Sequence, residues 1–145
     1  MASRMNHSGL IEISSNATEV DGLLNQMEEL LESSCLDTMS AFRLRCAVVE
    51  VVNNCIHHAY GSHEGQPLRI AYKEDDSGVE FTVSDRGRAF DDVTSLSESG
   101  PIDESGRGLE IIRAWVNVVE YKRQDGWNHC RLAQYNPGAE NHVSY

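Results

Sequence analysis

Basic residues are scarce in this chain of 145 residues: 12 Lys and Arg stand against 23 Asp and Glu, for a net charge of -11. A nucleic-acid or anionic-membrane binder needs a basic patch to neutralise phosphates, so neither is expected as the main partner. No apolar run approaches the length of a membrane span, and the sequence does not open on the apolar stretch of a secretory signal. The 4 cysteines, Cys35, Cys46, Cys55 and Cys130, form no C-x-x-C pair. His7, His63, His129 and His142 are scattered without zinc-site spacing. The phosphate-binding patterns G-x-G-x-x-G and G-x-x-x-x-G-K-[ST] are both missing, which excludes a Rossmann or P-loop reading. Internal repeats and low-complexity tracts are missing too. What remains is a single compact cytoplasmic domain over 1–145, with reduced thiols and a 40% hydrophobic content sufficient for one core. A protein-docking face on so acidic a chain is expected at local basic spots such as Arg43, Arg45, Lys122 and Arg123.

Hydrophobic periodicity divides the chain into elements. Leu10–Ile13 alternates as a short strand does. Ser14, Ser15 and Asn16 can start a helix, and Val20, Leu23, Leu24, Met27, Leu30 and Leu31 recur at helical spacing after them. Asp37 can cap a second, longer helix with Leu44, Val48, Val51, Val52 and Cys55 on its apolar side, ended by Gly61 after Tyr60. Leu68–Lys73 and Val79–Val83 alternate around the turn Glu74-Asp75-Asp76-Ser77-Gly78 and predict a hairpin. A long loop rich in Gly, Ser and Asp spans 85–103. A third helix is expected from near Gly106 through Trp115. A second hairpin, 116–122 and 127–134, folds about Asp125-Gly126. The structured core is about 9–135, followed by a polar tail, 136–145. Strands grouped apart from helices predict an α+β two-layer sandwich. Tyr60 and Trp115 are expected to pack against the sheet.

Three clusters carry chemistry. In the second helix, Glu50, Asn54, His57 and His58 fall on the side opposite Val48, Val51, Val52 and Cys55. A carboxylate and an amide one turn apart offer oxygen ligands suited to Mg²⁺ and phosphate, and the carboxylate can accept a proton from an attacking hydroxyl. An ordinary amphipathic helix with a solvated polar face explains the same pattern. Next, Ser84-Asp85-Arg86-Gly87-Arg88-Ala89-Phe90-Asp91 follows directly on a strand. Asp85 can accept a hydrogen bond from an exocyclic amine, and Gly87 lets the backbone pass close to a flat ring; a plain turn is the bland alternative. Finally, Ser105-Gly106-Arg107-Gly108-Leu109 opens a helix, where glycine amides and the helix N-terminus favour phosphate. A hinge and cap would look alike.

Each cluster is weak alone, but the order E-x-x-x-N-x-x-x-H-A-Y, D-x-G-x-x-F-D, S-G-x-G-L resembles the GHKL ATPase superfamily, and within it the anti-sigma factor serine/threonine kinases of bacterial partner switching (RsbW-like), from about Leu10 to Gln134. The resemblance implies a Bergerat-type sandwich, its sheet mixed but mostly antiparallel with helices on one face. It implies ATP or ADP with Mg²⁺ as ligands and Glu50 as catalytic base. Asn54 becomes the Mg²⁺ ligand, and His58 the histidine one turn later. Asp85 becomes the adenine-reading carboxylate, with Gly87 and Ala89 beside the base. Ser105, Gly106, Arg107, Gly108 and Leu109 line the phosphates, and 91–105 forms a lid. It further implies a STAS-domain anti-anti-sigma factor as phosphoacceptor, a sigma factor or other regulator as second partner, and a possible homodimer. Three places depart from the pattern. Ala89 stands where many relatives have glycine, Glu104 where some kinases have arginine, and Cys130 is the candidate for the threonine position of the last hairpin.

Two other functions compete with a kinase. Glu104 would repel a terminal phosphate, which motivates a nucleotide-dependent binding switch without phosphotransfer. A histidine-kinase catalytic domain would need an upstream phosphoacceptor histidine, and neither early helix offers one on a dimerisation face.

Overall fold

The computed structural model describes residues 7–89 and 112–136. Five strands form one sheet of order β1-β2-β3-β5-β4, with β1 at His7–Ser14, β2 at Pro67–Glu74, β3 at Gly78–Asp85, β4 at Val118–Gln124 and β5 at Trp127–Tyr135. Helices α1 (Ala17–Glu32) and α2 (Thr38–Asn54) lie between β1 and β2 in the chain. The sheet, expected as mixed but mostly antiparallel, has antiparallel ladders at every described pairing. The lid, the phosphate cluster Ser105–Leu109 and the start of the third helix lie outside the described residues, as does most of the tail; residues 112–115 are helical, as expected.

Both helices start where a side chain can serve a free backbone amide. Asn16 Oδ1 accepts from Glu19 N at 2.9 Å, and Asp37 Oδ1 accepts from Ser40 N at 2.8 Å. In α1, Val20, Leu23, Met27 and Leu31 are buried; in α2, Leu44, Ala47, Val48, Val51 and Val52 are. These stripes cover one face of the sheet, where the register aligns side chains in rows. One row runs Tyr72, Phe81, Leu132, Val119, and the next runs Ile11, Ile70, Val83, Cys130, Tyr121. Both rows are apolar or aromatic apart from one thiol and two phenols, and they hold the sheet to the helices. The following row, at the end of β3, runs Leu68, Asp85, Asn128, Arg123 and is polar from its second member on. The core therefore ends, and the polar site begins, within one step of the pleat.

α2 does not run unchanged to Gly61. From Cys55 to Ala59 it widens into a π-helical turn, with Tyr60 N donating to Cys55 O at 3.0 Å. The wider turn takes up an extra residue, so the 3.6-residue spacing that grouped His57 and His58 with Glu50 stops at Asn54. His57 is exposed and pairs through Nδ1 with Ser62 Oγ at 3.1 Å, while His58 is half-buried. Tyr60 packs as expected, 8% exposed. Its hydroxyl donates to Pro67 O and accepts from Arg86 N at 2.6 Å, tying the turn to β2 and to the end of β3. Trp115 differs from expectation. It is 39% exposed and leans on Phe42 of α2, ring centroids 6.2 Å apart, rather than on the sheet.

Gly87 closes the same junction. A Cβ there would lie 2.3 Å from Ala59 O and 2.5 Å from Ala59 C. Those are backbone atoms of the π-helical turn and cannot swing away. Arg88 N also donates to Ala59 O at 2.9 Å, so the strand end and the helix end are in direct backbone contact. Gly87 is expected to let the backbone approach a flat ring; the close approach seen here is to the Ala59 backbone.

The β2–β3 turn rests on Asp75, whose Oδ1 accepts from Ser77 N at 2.8 Å, Ser77 Oγ at 2.6 Å and Gly78 N at 3.2 Å. The Ser77 hydroxyl holds the Asp75 carboxyl below its ordinary pKa, opposed by burial and helped by the backbone amides of Ser77 and Gly78. A depressed folded-state pKa stabilises the fold above the unfolded-state value and loses that contribution as pH falls through the folded-state value. Asp75→Ala should therefore cost about 1 kcal/mol in denaturant unfolding at neutral pH, and the cost should shrink below the ordinary carboxylate pKa. A cost equal at both pH values would contradict this. Gly87→Ala should be worse, destabilising by about 1–3 kcal/mol and displacing the 86–88 segment, measurable as a lowered melting midpoint.

Candidate functional site

Asp85 is the last residue of β3 and is 4% exposed. Its side chain points to the helix face because it continues the alternation of Val79, Phe81 and Val83. Oδ1 accepts from Gly87 N at 2.8 Å and from Asn128 Nδ2 at 2.9 Å. From the helix side, the buried Cys55 thiol lies near the same carboxyl. Asn128, 6% exposed, sits directly opposite Asp85 in the ladder. Its Nδ2 also reaches Arg88 O at 2.6 Å, and its Oδ1 accepts from Arg123 Nη1 at 2.8 Å. Asn128, and not Cys130, is thus the residue of the last hairpin that lies opposite Asp85. Cys130 pairs with Val83, one row deeper, and does not reach the sheet's end.

The other candidates lie on the helix side. Cys55 follows Asn54 directly, and Glu50 lies one turn back, about 6 Å along the axis. Glu50 and Asn54 are both half-buried. The carbonyl of His58 accepts from Arg88 Nη2 at 2.6 Å and Nε at 3.2 Å, which satisfies a backbone oxygen that the helix end leaves open. Asn54, His58, Asp85 and Gly87 thus gather around one junction, with Ala89 half-buried at its edge. Ser105, Gly106, Arg107, Gly108 and Leu109 lie outside the described residues. Asn128 and Arg123, which no motif marked, supply with Arg88 and Tyr60 the hydrogen bonds that fix the arrangement.

Below the junction lie two buried thiols and a phenol. Burial, then the Asp85 charge, pushes the Cys55 thiol well up. Burial pushes Cys130 up to about 12 against a lowering hydrogen bond from Tyr121. Tyr121 is itself raised, mainly by burial. All three stay protonated at neutral pH, so both thiols are weak nucleophiles, and all 4 cysteines are free. Among the described residues no group of three or more His, Cys, Asp or Glu side chains could hold a metal by itself. The half-buried Glu50 and Asn54 offer one carboxylate and one amide, a donor set that fits an ion bound chiefly by phosphate oxygens. None of the described helices is long and apolar enough to cross a membrane.

Known proteins share this sequence and this fold. The chain is 25% identical over 130 residues to the serine/threonine-protein kinase BtrW of Bordetella bronchiseptica, covering 86% of this chain and 92% of that protein. It is 30% identical over 92 residues to the serine-protein kinase RsbW of Oceanobacillus iheyensis, covering 57% of this chain and 58% of that one. It is 32% identical over 89 residues to an anti-sigma F factor of Pasteuria penetrans, with 57% and 59% covered. The alignments thus span nearly all of the first relative and little more than half of the other two. In fold, the chain is similar to the structure of the RsbU and RsbW domains of Rv1364c from Mycobacterium tuberculosis, with a TM-score of 0.61 at 18% identity over 87% of this chain and 32% of that one. The family model described as a histidine kinase-like ATPase domain matches residues 13–133. With that match over most of its length and an antiparallel sheet covered by helices on one face, the chain belongs to the histidine kinase-like ATPase domain family.

Proposed function

We propose that the chain is an ATP-dependent serine/threonine protein kinase of the anti-sigma type, which phosphorylates a STAS-domain anti-anti-sigma factor and sequesters a sigma factor or other regulator in the cytoplasm. The observation that carries the reading is Asp85. It is a buried carboxylate at a strand end, fixed by two N–H donors and set beside the helix that bears Glu50 and Asn54. Relatives named as serine-protein kinases and as an anti-sigma F factor support the direction.

In this reading the Asp85 carboxylate accepts the exocyclic amine of adenine, with Gly87 and Ala89 beside the ring and His58 at the helix end. Asn54 would hold Mg²⁺, which neutralises charge on the phosphates when bound. Ser105, Gly106, Arg107, Gly108 and Leu109 receive the phosphates. Glu50 accepts the proton of the partner's Ser or Thr hydroxyl as that oxygen attacks the terminal phosphorus, and ADP leaves. A homodimer belongs to the proposal as an assembly state.

Two measurements test it. Saturating Mg-ADP at 100 times its dissociation constant should stabilise the wild-type fold by about 2.7 kcal/mol, and Asp85→Asn should abolish that gain. With Mg-ATP and a STAS-domain partner, one phosphate should appear on the partner, and Glu50→Gln should slow transfer by about a hundredfold or more. Tight nucleotide-dependent association without a phosphorylated product would replace the kinase by a binding switch.

A further inference from the structure

Asp85 Oδ1 already carries two N–H donors, Gly87 N at 2.8 Å and Asn128 Nδ2 at 2.9 Å. An asparagine amide has two hydrogens to give. Here one serves Asp85 and the other serves Arg88 O at 2.6 Å. The amide is held this way round by Arg123. Its Nη1 donates to Asn128 Oδ1 at 2.8 Å and also to Gly87 O at 3.1 Å. A guanidinium has only donors, so the amide oxygen must face Arg123 and the amide nitrogen must face the carboxylate. Turned over, the amide would set its oxygen against Asp85 and leave the Arg123 donor facing N–H groups. Arg123, exposed on β4, therefore fixes the state of a carboxylate two strands away in the row Asp85, Asn128, Arg123.

We infer that the Arg123–Asn128 pair sets the base selectivity of the nucleotide site, by occupying one Asp85 oxygen and leaving a single oxygen to read the purine. The inference rests on the reading of Asp85 as the purine-binding carboxylate. Adenine offers that carboxylate one amino hydrogen beside a ring nitrogen that accepts. Guanine offers two adjacent donors, the ring N–H and the amino group, and satisfies them best against both oxygens of one carboxylate. With Oδ1 engaged, the second guanine donor meets an oxygen already surrounded by hydrogens. Discrimination of this kind is a difference between two affinities, and it comes as much from what is refused as from what is held. Arg123 and Asn128 are positioning residues: they act on the base through Asp85.

The test is the dissociation constant of ADP and of GDP, measured by titration calorimetry on the full chain. The wild type should prefer ADP. Arg123→Ala should narrow the ADP-to-GDP preference by about tenfold, the usual scale for one displaced polar pairing. Arg123→Lys, which still presents a cationic donor to Asn128 Oδ1, should restore most of it. Asn128→Ala should act in the same direction; if this buried change fails to fold, the Arg123 pair of variants decides alone. Melting midpoints without nucleotide separate a folding defect from a site effect. A purely structural role would weaken both nucleotides in proportion, and an unchanged preference or a proportional loss in Arg123→Ala overturns the inference. Asp85→Asn separates the two levels. If it leaves ADP binding intact, the reading of Asp85 falls and takes this inference with it. If it abolishes binding while Arg123→Ala leaves the preference untouched, the inference alone fails.

Discussion

A carboxylate with 4% of its surface exposed is expensive to keep ionised unless donors surround it. Asp85 meets that condition from the backbone just after it and from the neighbouring strand, through Gly87 N and Asn128 Nδ2, with the buried Cys55 thiol close by on the helix side. The carboxylate therefore joins the end of β3, β5 and the π-helical turn as well as forming the centre of the site. Removing any one donor would leave a buried charge short of a partner, which is why the elements around it are so closely tied. Tyr60 and Arg88 strengthen the same junction from the backbone side, through Arg86 N, Pro67 O and His58 O.

The sheet register explains how such a group can sit at the edge of an apolar core. Asp85 occupies the same face as Val79, Phe81 and Val83, and the alternation of β3 alone would make it one more core residue. Its neighbours decide otherwise. The row that contains it continues into Asn128 and Arg123, whereas the row beneath continues into Cys130 and Tyr121. Polarity thus rises along the strands toward one end of the sheet. The helix follows the same gradient, from Val48, Val51 and Val52, all buried, to Asn54 and His58, half-buried. The two independent gradients meet at one end of the sheet, where Asp85, Asn128, Asn54 and His58 lie.

Much of this was legible in the sequence, because the signals involved are local. The Asp37 cap, the turn at Asp75–Gly78 and the hairpin at Asp125-Gly126 each depend on residues a few positions apart. The last turn has φ of 55° at Asp125 and 83° at Gly126, as a two-residue hairpin of this kind requires. Glu50, Asn54 and Asp85 stood out through motif order, and the fold brings the helix end to Asp85. Asn128 stayed hidden for a topological reason. It meets Asp85 only because β5, not β4, lies beside β3, and nothing in a stretch of alternating residues states which strand becomes the neighbour. Helical spacing misplaced His57 and His58 because a π-helical turn interrupts it, and the backbone contact with Gly87 and Arg88 that accompanies the turn is long-range. Trp115 has the composition of a core residue, yet it lies on the outside of α2, where only the packing of the 112–115 segment could have placed it.

The protonation states around the junction constrain what chemistry it can perform. Cys55 and Cys130 are both pushed up in pKa by burial, and the nearby Asp85 charge adds to the effect. Tyr121 follows for the same first reason. A neutral thiol beside a carboxylate serves as a weak hydrogen-bond donor, and neither cysteine can attack a phosphorus atom as a thiolate at neutral pH. In the proposed function Asp85, turned into the fold and held by its donors, reads the base, and the half-buried Glu50, one helical turn from Asn54, takes the proton of the attacking hydroxyl.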